Sequence, residues 1–207
     1  MSYPIAPYPA MKDPNIAIAR GVLKPGGIEV VRALGDEYLA KHGKPGEVGF
    51  HEGMRVHEAT RACNSVWLPW PHEDPRVKTL YDGLGHIAQE ANAWNWQFDI
   101  WGYQDNLHYV HYSAEHGPDG GKFNWHQDRG DDWRRMQRKL AVIVLLSDPA
   151  DYEGGEFQIF DGREITVAPR EQGTAYVLPS FTQHRVLPVT KGERRVLIGW
   201  LGGPRLR

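Results

Sequence analysis

The chain has 207 residues, 41% hydrophobic and 24% charged, a mixture that suits one globular domain and excludes a disordered or membrane-embedded protein. Its formal charge of −2, from 24 basic and 26 acidic residues, offers no global field to nucleic acid or to an anionic membrane. The single cysteine, Cys63, excludes an intrachain disulfide framework and a cysteine-based zinc site, and points to a reducing, cytoplasmic setting.

The opening MSYPIAPYPA lacks the basic and apolar regions of a leader, and its prolines oppose helix, so the first ~15 residues are expected to drape over the surface or fray. A helix is predicted over 27–42, with Ile28, Val31, Leu34, Tyr38 and Leu39 on one stripe and Gly43 as its stop. Residues 48–68 suit a strand or two, ending in the turn Pro69-Trp70-Pro71. A second helix is predicted from the cap Asp74 and Pro75 towards Ala93, with Val77, Leu80, Tyr81, Leu84, Ile87, Ala88 and Ala91 on its apolar face.

From about residue 100 the pattern turns strand-like. Short β-branched or aromatic runs cover 107–112, 123–128, 139–146, 157–160, 174–178 and 195–201, separated by glycine- and proline-bearing turns. Such a succession predicts a mainly β (α+β) fold, a double-sheet jelly roll, with the two N-terminal helices on the outside of one sheet. With no repeat, linker or low-complexity tract, one domain is expected over 1–207, its helical support at about 20–100 and its jelly-roll core at about 100–203.

On the run FNWHQD (123–128), alternation places Asn124, His126 and Asp128 on one face and Phe123, Trp125 and Gln127 on the other. Two donors two apart on a strand point to one place, as a metal requires. His72 and Asp74 share this spacing, but Asp74 is better explained as the helix cap. Downstream, His184 is the candidate third ligand. Two histidines and a carboxylate occupy one face of an octahedral iron and leave three positions open, enough for a bidentate 2-oxo acid and dioxygen. Zinc would prefer a fourth protein ligand, and no obvious one is present.

Arg194 begins a file with Val196, Ile198 and Trp200 that points inward if any of it does. A buried guanidinium needs an anion, and the distal carboxylate of a 2-oxo diacid supplies one. Alternation lets only one of Arg194 and Arg195 face inward, and Arg194 is chosen.

The order HQD (126–128), LSDPADYEGGE (146–156) and HRVLPVTKGER (184–194) resembles the prolyl 4-hydroxylase-like branch of the 2-oxoglutarate/iron(II) dioxygenases. The similarity is strong over about 109–200 and fainter back through Arg61 and Trp67. It implies a double-stranded β-helix of cupin-like type, iron(II) on His126, Asp128 and His184, and the 2-oxoglutarate carboxylate on Arg194. Tyr112 is either a second donor to that carboxylate or a core tyrosine. Arg138 suits a structural role. The implied cofactors are iron(II), 2-oxoglutarate and dioxygen, with ascorbate as a reductant. The presence of Asp128 argues against the halogenases of this family, which have a small residue there.

The expected reaction is hydroxylation of an unactivated C–H bond of a small-molecule or amino-acid-like substrate, with release of succinate and carbon dioxide. A peptidyl prolyl or other side-chain hydroxylase is the alternative in the same class, and a non-catalytic metal-binding sensor the alternative outside it. No nucleic-acid or membrane partner is expected. Arg129, Arg134 and Arg135 either grip an acidic or amino-acid-like substrate or belong to a solvated loop. Glu156 either lines the pocket or starts a strand. His108, His111 and His116 are assigned no metal role.

Overall fold

The computed structural model describes residues 15–50, 53–70, 74–130 and 135–204. The expectations for the first residues, for His72 and for Arg134 lie outside them. Helix α1 spans Pro25–His42 and α2 spans Pro75–Asn95. Asp74 caps α2 as expected, its Oδ1 accepting from the Arg76 backbone N–H at 2.8 Å, with Pro75 at the first helical position. Gly43 ends α1 in an extended conformation, its N–H donating to Leu39 O at 2.8 Å. A Cβ at Gly43 would lie 2.3 Å from that same carbonyl, so close approach, not a left-handed turn, calls for glycine here.

Between the helices the chain forms more strands than the one or two expected: Lys44–Pro45, Glu47–Phe50, Gly53–Val56, Arg61–Ala62 and Asn64–Leu68. From Leu107 onwards the chain alternates between two antiparallel sheets. Leu107–Ser113, Arg138–Leu145, Ala175–Pro179 and Val189–Gly202 lie in a nine-stranded sheet; Lys122–His126, Phe157–Phe160 and Gln183–Val186 lie in a five-stranded one. This alternation is the winding of a double-stranded β-helix, the jelly roll expected from the strand pattern.

The larger sheet is apolar on both faces. Leu107, Tyr109, Val142, Val144, Val177, Leu197 and Leu201 pack with Leu34, Leu80 and Leu84 of the helices. The opposite face carries Val110, Tyr112, Ile143, Tyr176, Val196 and Trp200, which pack with Phe157, Ile159 and Val186 of the smaller sheet. That double burial explains why Arg138–Leu145 is buried throughout rather than alternating. The space between the sheets holds the candidate site. Among the described residues no helix is long and apolar enough to cross a membrane.

Candidate metal centre and its anion clamp

His126 ends its strand, and His184 lies directly opposite it on the neighbouring antiparallel strand. Asp128 follows in the turn, whose position is fixed from two sides: Arg129 N–H donates to Ser180 O at 2.8 Å, and Arg138 Nη1 donates to Asp128 O at 3.0 Å. Arg138 is itself held by Asp105 at 2.8 Å and lies over the Trp200 ring at 4.1 Å, which accords with its expected structural role. One donor atom from each of His126, Asp128 and His184 falls within 4.8 Å of the other two.

Those donors converge without bonding one another. His126 Nε2 is 3.9 Å from Asp128 Oδ1, and His184 Nε2 is 3.8 Å from Asp128 Oδ2, both beyond hydrogen-bond range. Burial, helped by His184, pushes His126 down to about 3, so its imidazole is neutral and the contact is not an ion pair. Burial alone would raise Asp128, but His184 and His126 outweigh it and hold the carboxyl below its usual range. The far nitrogen of each ring is occupied: Nδ1 of His126 meets Asn124 O at 2.7 Å, and Nδ1 of His184 meets Thr182 O at 2.9 Å. A carbonyl only accepts, so each Nδ1 carries a proton and Nε2 is the nitrogen turned towards the other donors. Two imidazoles presenting Nε2 and one carboxylate form a donor set that fits iron(II).

The expected facing of the metal strand needs one correction. Opposite His184 and Val186 stand His126 and Phe123, so the metal strand carries one extra residue, a β-bulge. The bulge changes parity. Phe123 turns inward and stacks on His126, with ring centroids 3.5 Å apart at 15°, while Asn124 is exposed and donates from Nδ2 to Ala59 O at 2.9 Å. Asn124 therefore faces away from the metal donors, and Phe123 faces them. Trp125 does point outward, beneath the Arg185 guanidinium at 4.5 Å.

Arg194 lies across from Tyr112, is 3% exposed, and has its guanidinium carbon 5.6 Å from that ring. Among the described residues no carboxylate reaches it, although its nitrogens are not sealed from the cavity. Arg195 faces the other way and is paired with Asp36 at 3.0 Å and Glu193 at 2.7 Å. Of the two arginines it is Arg194 that faces inward, and Val196, Ile198 and Trp200 point inward with it. Tyr112 is buried on the same face, and burial pushes its phenol up, so the hydroxyl stays a neutral donor.

The remaining candidates are placed as follows. Glu156 precedes the strand Phe157–Phe160 and lies 3.5 Å from Arg170, so it serves that pair. Arg129 is exposed, whereas Arg135 donates to Met54 Sδ at 3.4 Å. His108 is buried and stacked on Trp67 at 4.1 Å. Two residues of the site escaped sequence reasoning, Phe123 and Arg61. Arg61 lies 4.8 Å from the Phe123 ring, and only its position in the fainter part of the family resemblance could have signalled it.

Residues 107–202 match the family described as the 2OG-Fe(II) oxygenase superfamily. The chain is similar to a PKHD-type hydroxylase of Parvibaculum lavamentivorans, 37% identical over 40% of this chain and 37% of the relative. It is also similar to a PKHD-type hydroxylase of Synechococcus elongatus, 32% identical over 61% of this chain and 57% of the relative. The matches thus span between about a third and three fifths of those relatives. A Pseudomonas putida prolyl-4-hydroxylase shares the fold with a TM-score of 0.71 at 18% identity, covering 92% of this chain and 93% of that one. A Trichoplax adhaerens prolyl hydroxylase, solved with a hypoxia-inducible-factor peptide fragment, gives a TM-score of 0.73 at 15% identity over 91% and 83% of the two chains. These likenesses show that the chain shares the fold of those two structures.

Proposed function

We propose that the protein is an iron(II)/2-oxoglutarate-dependent dioxygenase that hydroxylates an unactivated C–H bond of a small-molecule or amino-acid-like substrate. His126, Asp128 and His184 would hold the metal, and Arg194, helped by the Tyr112 hydroxyl, would take the distal carboxylate of 2-oxoglutarate. Bound iron supplies activation of dioxygen coupled to decarboxylation of the cosubstrate, leaving succinate and carbon dioxide.

The chain's own residues perform the remaining tasks. The Asn124 and Thr182 carbonyls keep both imidazoles in the tautomer that offers Nε2. Arg138 fixes the backbone from which Asp128 reaches in. The apolar wall of Val110, Ile143, Phe157, Val186 and Trp200 excludes bulk water from a reactive centre.

The observation that carries this reading is the pairing of a three-donor metal set with a buried guanidinium that has no carboxylate partner among the described residues, both between the same two sheets. A metal-binding sensor has no use for the unpaired cation. A peptidyl hydroxylase would use the same residues; the peptide-bound Trichoplax structure is the reason to include peptides in a substrate screen. Ascorbate enters as a reductant that restores ferrous iron, and a cytoplasmic setting would keep iron reduced and Cys63 a free thiol. We take 1–207 as one functional unit, because both helices complete the core of the larger sheet.

The test is anaerobic addition of iron(II) and then 2-oxoglutarate, followed by visible absorption. A weak charge-transfer band should appear, His184→Ala and Asp128→Ala should diminish it, and admitting oxygen should release succinate. Protein that binds iron yet shows no band would remove the oxygenase reading and leave the sensor.

A further inference from the structure

The site contains a second guanidinium that the proposed chemistry does not use. Arg61 stands on the short strand Arg61–Ala62, opposite Phe123 in the smaller sheet. Its guanidinium lies over the Phe123 ring at 4.8 Å, and that ring in turn stacks on His126. Arg61 is thus one aromatic ring away from a metal ligand. Two of its nitrogens are engaged: Nε donates to Cys63 Sγ at 3.2 Å and Nη1 to Glu47 O at 3.1 Å. These contacts fix the orientation of the fork without neutralising it, since a thiol and a carbonyl carry no charge. Burial pushes the Cys63 thiol up, which keeps it protonated. Among the described residues no carboxylate comes within ion-pair range of Arg61, and Nη2 has no hydrogen-bond partner.

The inward-facing Phe123 ring, with Arg61 against it and His126 stacked on it, sets the guanidinium at the edge of the space between the sheets. Arg138 is neutralised by Asp105. Iron(II) with Asp128 leaves a single positive charge, and Arg194 adds a second; the dianion of 2-oxoglutarate cancels both. Among the described residues Arg61 is then left beside the site as a cation with no carboxylate in ion-pair range, and an unpaired, partly buried charge is costly.

Building on the oxygenase reading, we propose that Arg61 is the substrate-anchoring residue and that the substrate carries a carboxylate, which the free edge of the Arg61 guanidinium binds beside the metal centre. A planar guanidinium held in place by two hydrogen bonds loses little freedom on meeting a carboxylate, which favours it over the exposed Arg129 for this task. The carboxylate belongs either to a free amino acid or small acid, or to an acidic side chain beside the hydroxylated residue of a peptide.

The test uses the full chain, loaded anaerobically with iron(II) and 2-oxoglutarate. The probes are free L-amino acids, the matching amino-acid amides, and end-blocked peptides with Asp or Glu next to proline, alongside the same peptides with Asn or Gln. Binding is read from the thermal midpoint and from perturbation of the charge-transfer band. A carboxylate-bearing probe should bind at least about tenfold more tightly than its amide counterpart. Arg61→Gln should remove that preference while leaving the band from 2-oxoglutarate intact. Preference for a free amino acid would assign a small-molecule substrate, and preference for the acidic peptide a peptidyl one. Equal binding of acid and amide, no binding by any carboxylate, or loss of the 2-oxoglutarate band in Arg61→Gln would each overturn the proposal. The acid-against-amide comparison is made in the parent protein, so it stands even if Arg61→Gln does not fold. Absence of the band in the parent would count against the oxygenase reading instead.

Discussion

Replacing Arg194 by methionine sets two effects of opposite sign against each other. In the ligand-free protein the Arg194 side chain is 3% exposed, and no carboxylate reaches it among the described residues. A buried charge without a counter-ion costs several kcal/mol when fully desolvated. The nitrogens of Arg194 retain access to the cavity, so the realised cost is lower, on the order of 1 kcal/mol. Methionine keeps most of the stem that packs against Gly155 and deletes the charge. Ligand-free Arg194→Met should therefore be as stable as the parent, or more stable by up to ~1 kcal/mol, a rise of at most about 2–4 °C at this chain length. With iron(II) and 2-oxoglutarate the sign reverses, because truncating one partner of a buried charge pair costs about 2–5 kcal/mol. That corresponds to an affinity for 2-oxoglutarate lower by roughly thirtyfold to several thousandfold. Calorimetric midpoints with and without the cosubstrate, and a titration followed by the charge-transfer band, measure both arms. A variant that loses several degrees without ligand but binds 2-oxoglutarate like the parent would refute the assignment and make Arg194 a packing residue.

Other changes probe the rest of the site. Gly155→Ala should both destabilise the fold by more than about 1 kcal/mol and weaken 2-oxoglutarate binding, since φ is +66° there and a Cβ would sit 3.1 Å from Arg194 Cδ; unfolding and cosubstrate titrations check the two effects. Phe123→Ala should lower iron affinity by about tenfold, and Asn124→Ala much less, because only Phe123 lies against His126; equal effects in a metal titration would contradict the bulge. His108, buried and held well below its usual value chiefly by burial, stays neutral in the fold but takes up a proton on unfolding below about pH 6.5. Its contribution to stability is therefore complete above that pH and falls by up to ~1.4 kcal/mol per unit as pH drops below it, so His108→Phe should flatten the acid limb of a denaturation series by that slope.

The elements that were legible in the sequence carry their own instructions. The α2 start is written in Asp74 and Pro75, and the long core strands in β-branched runs buried on both faces, as in Arg138–Leu145. The elements that were missed have no such internal signal. Ile165–Val167 is exposed along its length and Lys44–Pro45 likewise, so both are strands only because Phe157–Phe160 and Asn64–Leu68 offer them a ladder. Gln183–Val186 read as surroundings for His184 rather than as a strand, because Pro188 separates it from the long run Val189–Gly202.

At the site the same distinction holds at the scale of single residues. The spacing of His126 and Asp128, and the choice of Arg194 over Arg195, follow from local alternation. The bulge does not, because it is defined by register against His184 and Val186, which belong to a different part of the chain. Nor does the role proposed for Arg61, since lacking a counter-ion among the described residues is a property of everything around a residue and not of the residue itself. The bulge is also more than an irregularity that upset the facing of Phe123. By turning Asn124 outward, where its N–H and Nδ2 are taken by Thr60 and Ala59, it leaves the Asn124 carbonyl free to accept the His126 Nδ1 proton. His184 is held in the same way by the carbonyl two residues before it, in the turn that leads into its strand. Each of these rings is thus oriented by a backbone carbonyl rather than by a carboxylate. On the proposed reading Asp128 would be the one negative ligand among the described residues, and Arg194 and Arg61 would take their anions from cosubstrate and substrate.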